Sequence, residues 1–140
     1  MESSAQERLR EVHPNDIAKH WPQVLPGLKR LMRKCADDFT AEDVYWFLKE
    51  SRASLFLLDD GWIVLEVSTD PFGGKRTLCV WLMYWLQAEE NQEQLLSDLE
   101  VIARKARCCR IHFKSPRMGW MKKAKGFRLK LITWEREINV

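Results

Sequence analysis

The ten residues Thr77 to Leu86 (TLCVWLMYWL) constrain this chain more than any other stretch. They contain no charge, no Gly and no Pro. Val80, Trp81, Tyr84 and Trp85 favour extended backbone, because β-branched and aromatic side chains pack well on a pleated surface. An apolar run without alternation, bounded by turn signals, predicts a strand buried on both faces. It is too short to cross a bilayer, which needs about 20 apolar residues. A buried helix segment has the same unpatterned look, but a hairpin turn precedes the run and a polar helix start follows it. A strand covered on both sides requires a mixed sheet between helices, so the fold class is α/β or α+β.

At 140 residues the chain is expected to form one domain over 1–140, with residues 1–7 as a frayed terminus. Trp occurs seven times, and most of these rings are expected in the core. The polar start, Met1 to Gln6, has no apolar core region after it, so no signal peptide is expected. The expected location is the cytoplasm, or a particle assembled there, with no membrane contact. Cys35, Cys79, Cys108 and Cys109 lack zinc spacing, so reduced, mostly buried thiols and no metal are expected. His20, without a partner at ligand spacing, reads as a packed or surface histidine.

The net charge of +3 hides an asymmetry. Residues 1–100 hold 11 Lys+Arg against 18 Asp+Glu, a balance of −7, and residues 101–140 hold 12 against 2, a balance of +10. Such a division implies a phosphate-bearing partner, a self-contact between opposite charges, or simply solvated faces.

In chain order, Arg8 to Val12 reads as a short edge strand. Asn15 or Asp16 is the expected cap of a helix through Ile17, His20, Trp21 and Val24. Pro22 and Pro26 lie inside that pattern, and a break is expected near Pro26. Thr40, with Glu42 and Asp43 after it, starts a second helix whose buried stripe is Val44, Phe47 and Leu48. Ser54–Leu58 and Trp62–Ser68 are strands. Asp60-Gly61 between them signals a hairpin in which Gly supplies a positive φ. A longer turn from Thr69 to Arg76 leads into Thr77–Leu86. A long helix follows, from about Asn91 to Arg107, with Asn91 and Gln94 as a capping box and Leu95, Leu99, Ile102 and Ala106 on its apolar face. Cys108–Phe113 is a strand, and strand–helix–strand order makes it parallel to the central one. Ser115-Pro116 opens a short helix that Gly126 ends, and Phe127–Ile138 is the last strand.

This order, an antiparallel meander followed by a β-α-β-α-β unit with helices on both faces, resembles the GNAT superfamily of acyl-CoA N-acetyltransferases. The stretch Met118-Gly119-Trp120-Met121-Lys122-Lys123-Ala124-Lys125-Gly126-Phe127-Arg128 is similar to that superfamily's terminal helix and its Gly-Phe. An early His-Pro with a Trp-Pro helix (His13 to Pro22), an Asp-Gly-Trp hairpin and the closing Gly-Phe-Arg also resemble small GNAT-like proteins encoded among bacteriophage structural genes.

The resemblance implies a phosphate loop of the form Gln/Arg-x-x-Gly-x-Gly/Ala after the central strand. Here the stretch is Gln87 to Glu93, without Gly and with Glu89, Glu90 and Glu93. Glycines let backbone N–H groups approach a pyrophosphate at a helix start, and acids repel it. The resemblance also implies a Tyr acid four residues before the Gly of Gly-Phe, where this chain has Lys122. Glu66, an isolated carboxylate among apolar neighbours, is a general-base candidate, and an exposed strand face is its plainer explanation. If acetyl-CoA binds, the implied contacts are Tyr84, Trp85, Leu86, Asn91, Gln92, Trp120 and Lys123.

Three functions are therefore in view. The first is a non-catalytic GNAT-like protein that needs no cofactor and works through protein contacts, with phage structural proteins or itself, in assembly or in the virion. The second is an acetyl-CoA-dependent N-acetyltransferase. The third is a weak, non-specific nucleic-acid binder using the basic run from Arg104 to Lys130. The departures at Gln87–Glu93 and Lys122 put the first ahead and predict no enzyme-like turnover of acetyl-CoA.

Overall fold

The computed structural model describes residues 8–34, 39–87, 90–113, 136 and 138. Among these residues, five strands form one sheet in the order β1 (Arg10–Val12), β2 (Ser54–Leu58), β3 (Gly61–Thr69), β4 (Arg76–Trp85) and β5 (Arg110–Phe113). The first four are antiparallel neighbours, and β5 lies parallel to β4. Helices α1 (Ile17–Lys34) and α2 (Ala41–Lys49) cover one face. Helix α3 (Gln92–Lys105), the crossover between β4 and β5, covers the other. The expected mixed sheet and parallel pair are both present. The expected helix from Ser115 falls outside the described residues, and so does the expected strand Phe127–Ile138 except at Arg136 and Ile138, which are exposed and lie in no strand.

Period-two alternation divides the core into two layers. Phe56, Leu58, Ile63, Leu65, Leu78 and Val80 meet Leu95, Leu99 and Ala103 of α3. Leu55, Leu57, Trp62 and Val64 meet Val24 and Leu28 of α1 and Val44 and Leu48 of α2. The central strand is thus covered on both faces, although only its first half is fully buried. Among the described tryptophans, Trp62 is 2% exposed, Trp21, Trp81 and Trp85 are half-buried and pack against the core, and Trp46 is 55% exposed.

Helix α1 does not break at Pro26; it runs unbroken with both prolines inside. Each proline removes one backbone N–H and crowds the carbonyl four residues earlier. Pro22 and Pro26 lie four apart and both face solvent, so water can satisfy the freed carbonyls. The buried stripe Ile17, Val24 and Leu28 holds the opposite face to the sheet. Neither Asn15 nor Asp16 caps this region. The cap is His13, whose Nδ1 accepts from the Asn15 N–H at 3.1 Å ahead of the 3₁₀ turn Pro14–Asp16.

The cap of α2 matches expectation: Thr40 Oγ1 accepts from the Asp43 N–H, and Asp43 Oδ2 accepts from the Thr40 N–H at 2.8 Å. The capping box expected at α3 does not form. The Asn91 side chain makes no cap, and its Nδ2 donates to Gln87 O at 3.0 Å. Gln94 reaches forward to Asp98 instead.

The β2–β3 turn also differs from expectation. Leu58 pairs with Gly61, so the turn residues are Asp59-Asp60, and no positive φ occurs at Gly61. Gly61 is needed for close approach: a Cβ there would lie 2.5 Å from Tyr84 O.

Candidate functional site

The bulge in β4 organises the site. Val64 pairs with Leu82 and Leu65 with Val80, so Trp81 is an extra residue on β4. Before it, Leu78 and Val80 face α3; after it, Met83 and Trp85 do. Trp81, Leu82 and Tyr84 face α1 and α2, where Trp81 packs against Phe39 and Phe47 at 5.2 and 5.5 Å between ring centres. Among the described residues, Thr77–Val80 of β4 pair with Arg110–Phe113 of β5. From there β4 continues to Trp85 and passes into the start of α3.

In open α/β sheets, ligands bind beyond the carboxyl ends of parallel strands. At this end the α3 N-terminus offers the N–H groups of its first turn, which have no partner within the helix. Asn91 leaves them without a side-chain cap. Such a terminus attracts phosphate. Glu90 and Glu93 oppose this, but both are exposed to solvent.

The expected contacts Tyr84, Trp85, Leu86, Asn91 and Gln92 do gather at this junction. Three of their side chains are already engaged, Asn91 through its bond to Gln87 O. Tyr84 packs on Trp62, accepts from Arg30 Nη1 at 3.2 Å, and lies under Gly27. Trp85 Nε1 donates to Asp60 Oδ1 at 2.6 Å. Leu86 is 79% exposed. Trp120, Lys122 and Lys123 lie outside the described residues.

At Cys79 the register builds a row across three strands. Glu66 pairs with Cys79, and Cys79 pairs with His112. Paired residues share a face. Their sequence neighbours Leu65, Leu78, Val80, Ile111 and Phe113 face α3, so this row faces the other way. Ser68 Oγ lies 3.8 Å from Cys79 Sγ, and Arg110 Nε donates to Thr77 Oγ1 at 2.9 Å in the next row. Cys79 is buried, while Glu66 and His112 are half-buried, and both carry further interactions. Glu66 is therefore not the exposed strand residue of the plainer expectation. His112 was missed: its signal lies in the register, not in local sequence. Among the described residues, no group of three or more His, Cys, Asp or Glu is arranged to hold a metal ion.

A cavity of about 570 Å³ lies on the α3 face, lined by Leu9, Phe56, Leu65, Glu66, Leu78, Asp98 and Ile102 among others. It touches neither the β4–α3 junction nor Cys79 and His112, so it is a poor candidate for the reaction centre. Asp98 is buried in its wall. Gln94 Nε2 donates to Asp98 Oδ1 at 3.0 Å, and Arg8 lies 3.7 Å from Oδ2.

The thiols are more varied than expected. Cys79 is buried, Cys108 half-buried and Cys109 exposed, all three free. Burial pushes the Cys108 thiol pKa up, against the opposing pull of Arg76.

No family model and no curated protein matches the chain. Solved structures do. An aminoglycoside acetyltransferase from an uncultured soil metagenomic sample, in complex with sisomicin, is 10% identical, with a TM-score of 0.66 over 97% of this chain and 100% of that one. A ribosomal-protein-alanine N-acetyltransferase from Brucella melitensis is 15% identical, with a TM-score of 0.60 over 94% and 97%. A GNAT family acetyltransferase from Staphylococcus aureus is 13% identical, with a TM-score of 0.58 over 93% and 97%. The fold is that of the GNAT acetyltransferases.

Proposed function

We propose that this chain is an acetyl-CoA-dependent N-acetyltransferase acting on an amine. The observation that carries the reading is the junction itself: a bulged central strand, its parallel partner, and the uncapped N-terminus of α3 at their carboxyl ends. The fold likeness to acetyltransferases supports it by analogy.

Acetyl-CoA would supply an activated acetyl thioester. The first-turn N–H groups of Gln92, Glu93 and Gln94 would hold its phosphates, and the β4 backbone beyond Trp81 its pantetheine arm. The acceptor, an ammonium at neutral pH, must lose a proton before its nitrogen can attack the thioester carbonyl; the C–S bond then breaks and CoA would leave as its thiolate. Imidazole and carboxylate are the side chains suited to take the proton, and His112 and Glu66 place one of each in a single row.

Magnitudes decide whether Glu90 and Glu93 forbid this. An exposed unit charge acts through high dielectric, at about 1 kcal/mol for 4 Å and less farther away. Two such residues lower affinity by about tenfold and do not abolish it. The glycine-free loop is the specific observation favouring a second reading, a non-catalytic protein acting through protein contacts in phage assembly or a virion.

The test is an acetyl-transfer assay on a panel of amines, with calorimetry in parallel. His112→Ala or Glu66→Gln should lower transfer by about 10²–10⁴-fold, the usual contribution of a proton acceptor, with acetyl-CoA affinity unchanged. Acetyl-CoA binding without transfer by the unaltered chain to any amine would favour the second reading.

A further inference from the structure

The two ends of β4 carry opposite charge, and each presents a bare apolar side chain. At its start, the β3–β4 turn holds Phe72 at 97% exposure. That ring sits on a fixed platform: Asp70 N–H donates to Lys75 O at 2.8 Å, Gly74 N–H to Asp70 O at 2.9 Å, and Phe72 N–H to Asp70 Oδ1 at 2.9 Å. Arg76 Nε donates to Ala106 O, and Cys109 N–H donates to Arg76 O, joining this turn to the α3–β5 turn. Lys75, Arg76, Lys105 and Arg107, all exposed, thereby lie on the two joined turns at the Phe72 end of the molecule.

At the other end of β4, Leu86 is 79% exposed. Asp59 and Asp60 flank it through the Trp85–Asp60 hydrogen bond, and Glu90 follows through the Asn91 N–H bond to Gln87 O. Asp59, Asp60 and Glu90 are all exposed, and Arg10, 3.1 Å from Asp59 Oδ1, offsets one of the three charges. Ten strand residues separate the two ends, about 30 Å at the usual rise.

We infer that the Phe72 end of one copy docks on the Leu86 end of another, head to tail. A fully exposed aromatic on a hydrogen-bonded turn loses little conformational entropy on contact, which suits an interface anchor. The cations at its end match the anions at the Leu86 end, and that complementarity selects a second copy as the occupant. The contact joins two different surfaces, so it propagates into a ring or an open filament.

Sedimentation of the full chain without acetyl-CoA tests this independently of any transferase activity. At about 0.01 M salt, where screening acts over about 30 Å, mean mass should rise with concentration; at about 1 M, where it acts over about 3 Å, the chain should be monomeric. Phe72→Ser should be monomeric at both. The variant Lys75→Glu/Lys105→Glu and the variant Asp59→Lys/Glu90→Lys should each be monomeric alone, because the first leaves its Phe72 end without net charge and the second makes its Leu86 end cationic. Mixed, they should form a one-to-one complex. Circular dichroism matching the unaltered chain qualifies each variant. A chain that stays monomeric at low salt, or variants that fail to pair when mixed, would overturn the inference. So would a monomer whose Phe72 end binds a single-stranded oligonucleotide, since nucleic acid would then be the occupant.

Discussion

Gly27 lies on α1 where the helix crosses Tyr84 most closely. A Cβ there would sit 2.6 Å from Tyr84 Cδ2 and 2.7 Å from Cγ. Helix propensity alone would make Gly27→Ala stabilising by about 1 kcal/mol. The clash falls on the root of a ring already packed on Trp62, and overpacking costs about 1–3 kcal/mol. Net destabilisation is expected in chemical denaturation; a gain in stability would mean that α1 can ride away from the sheet. The thiols give a second residue-scale prediction. Cys109 is exposed, Cys108 has a raised pKa, and Cys79 is buried. Among these three, alkylation near neutral pH should label Cys109 first, Cys108 more slowly and Cys79 only on unfolding, as peptide mass spectrometry can follow. Labelling of native Cys79 at the rate of Cys109 would show that the row containing His112 is open. That row was only partly legible. Glu66 stands out locally as a carboxylate among apolar residues. His112 does not, because its place beside Cys79 depends on the register of three strands.

Elements were legible where local chemistry and tertiary packing agree. The α2 capping box and the strand Ser54–Leu58 follow from their residues directly. The α1 prolines argue locally for a break, and the buried stripe on the opposite face overrides them. The bulge at Trp81 could not be read at all. A one-residue slip normally betrays itself by moving apolar residues onto a polar face. Between Thr77 and Leu86 every residue is uncharged, so either register satisfies the pattern. Trp81 itself is half-buried between Phe39 and Phe47. Trp81→Ala should therefore cost about 2–3 kcal/mol, below the usual range of about 3–5 for a buried aromatic. A loss under about 1 kcal/mol in urea or guanidinium would mean that the bulge does not depend on its aromatic cover. Thr40→Ala should cost about 1 kcal/mol through the lost cap, read the same way.

At the scale of the molecule, the described residues form a five-stranded sheet with α1 and α2 on one face and α3 on the other. No helix among them is long and apolar enough to cross a membrane. Strand order and the parallel β4–β5 pair were legible because a strand, an amphipathic helix and a strand can connect compactly in few ways. The site was less so. The sequence of Gln87–Glu93 shows its missing glycines and its acids, but not that Asn91 turns its side chain away from the helix start. That detail leaves the first turn of α3 available to an anion and keeps acetyl-CoA in the account. Isothermal titration of the purified chain with acetyl-CoA is the most direct test. One site with a dissociation constant below about 100 μM, near −5.5 kcal/mol, is the predicted result, weakened by added salt as phosphate contacts should be. No binding up to millimolar acetyl-CoA would contradict the transferase reading.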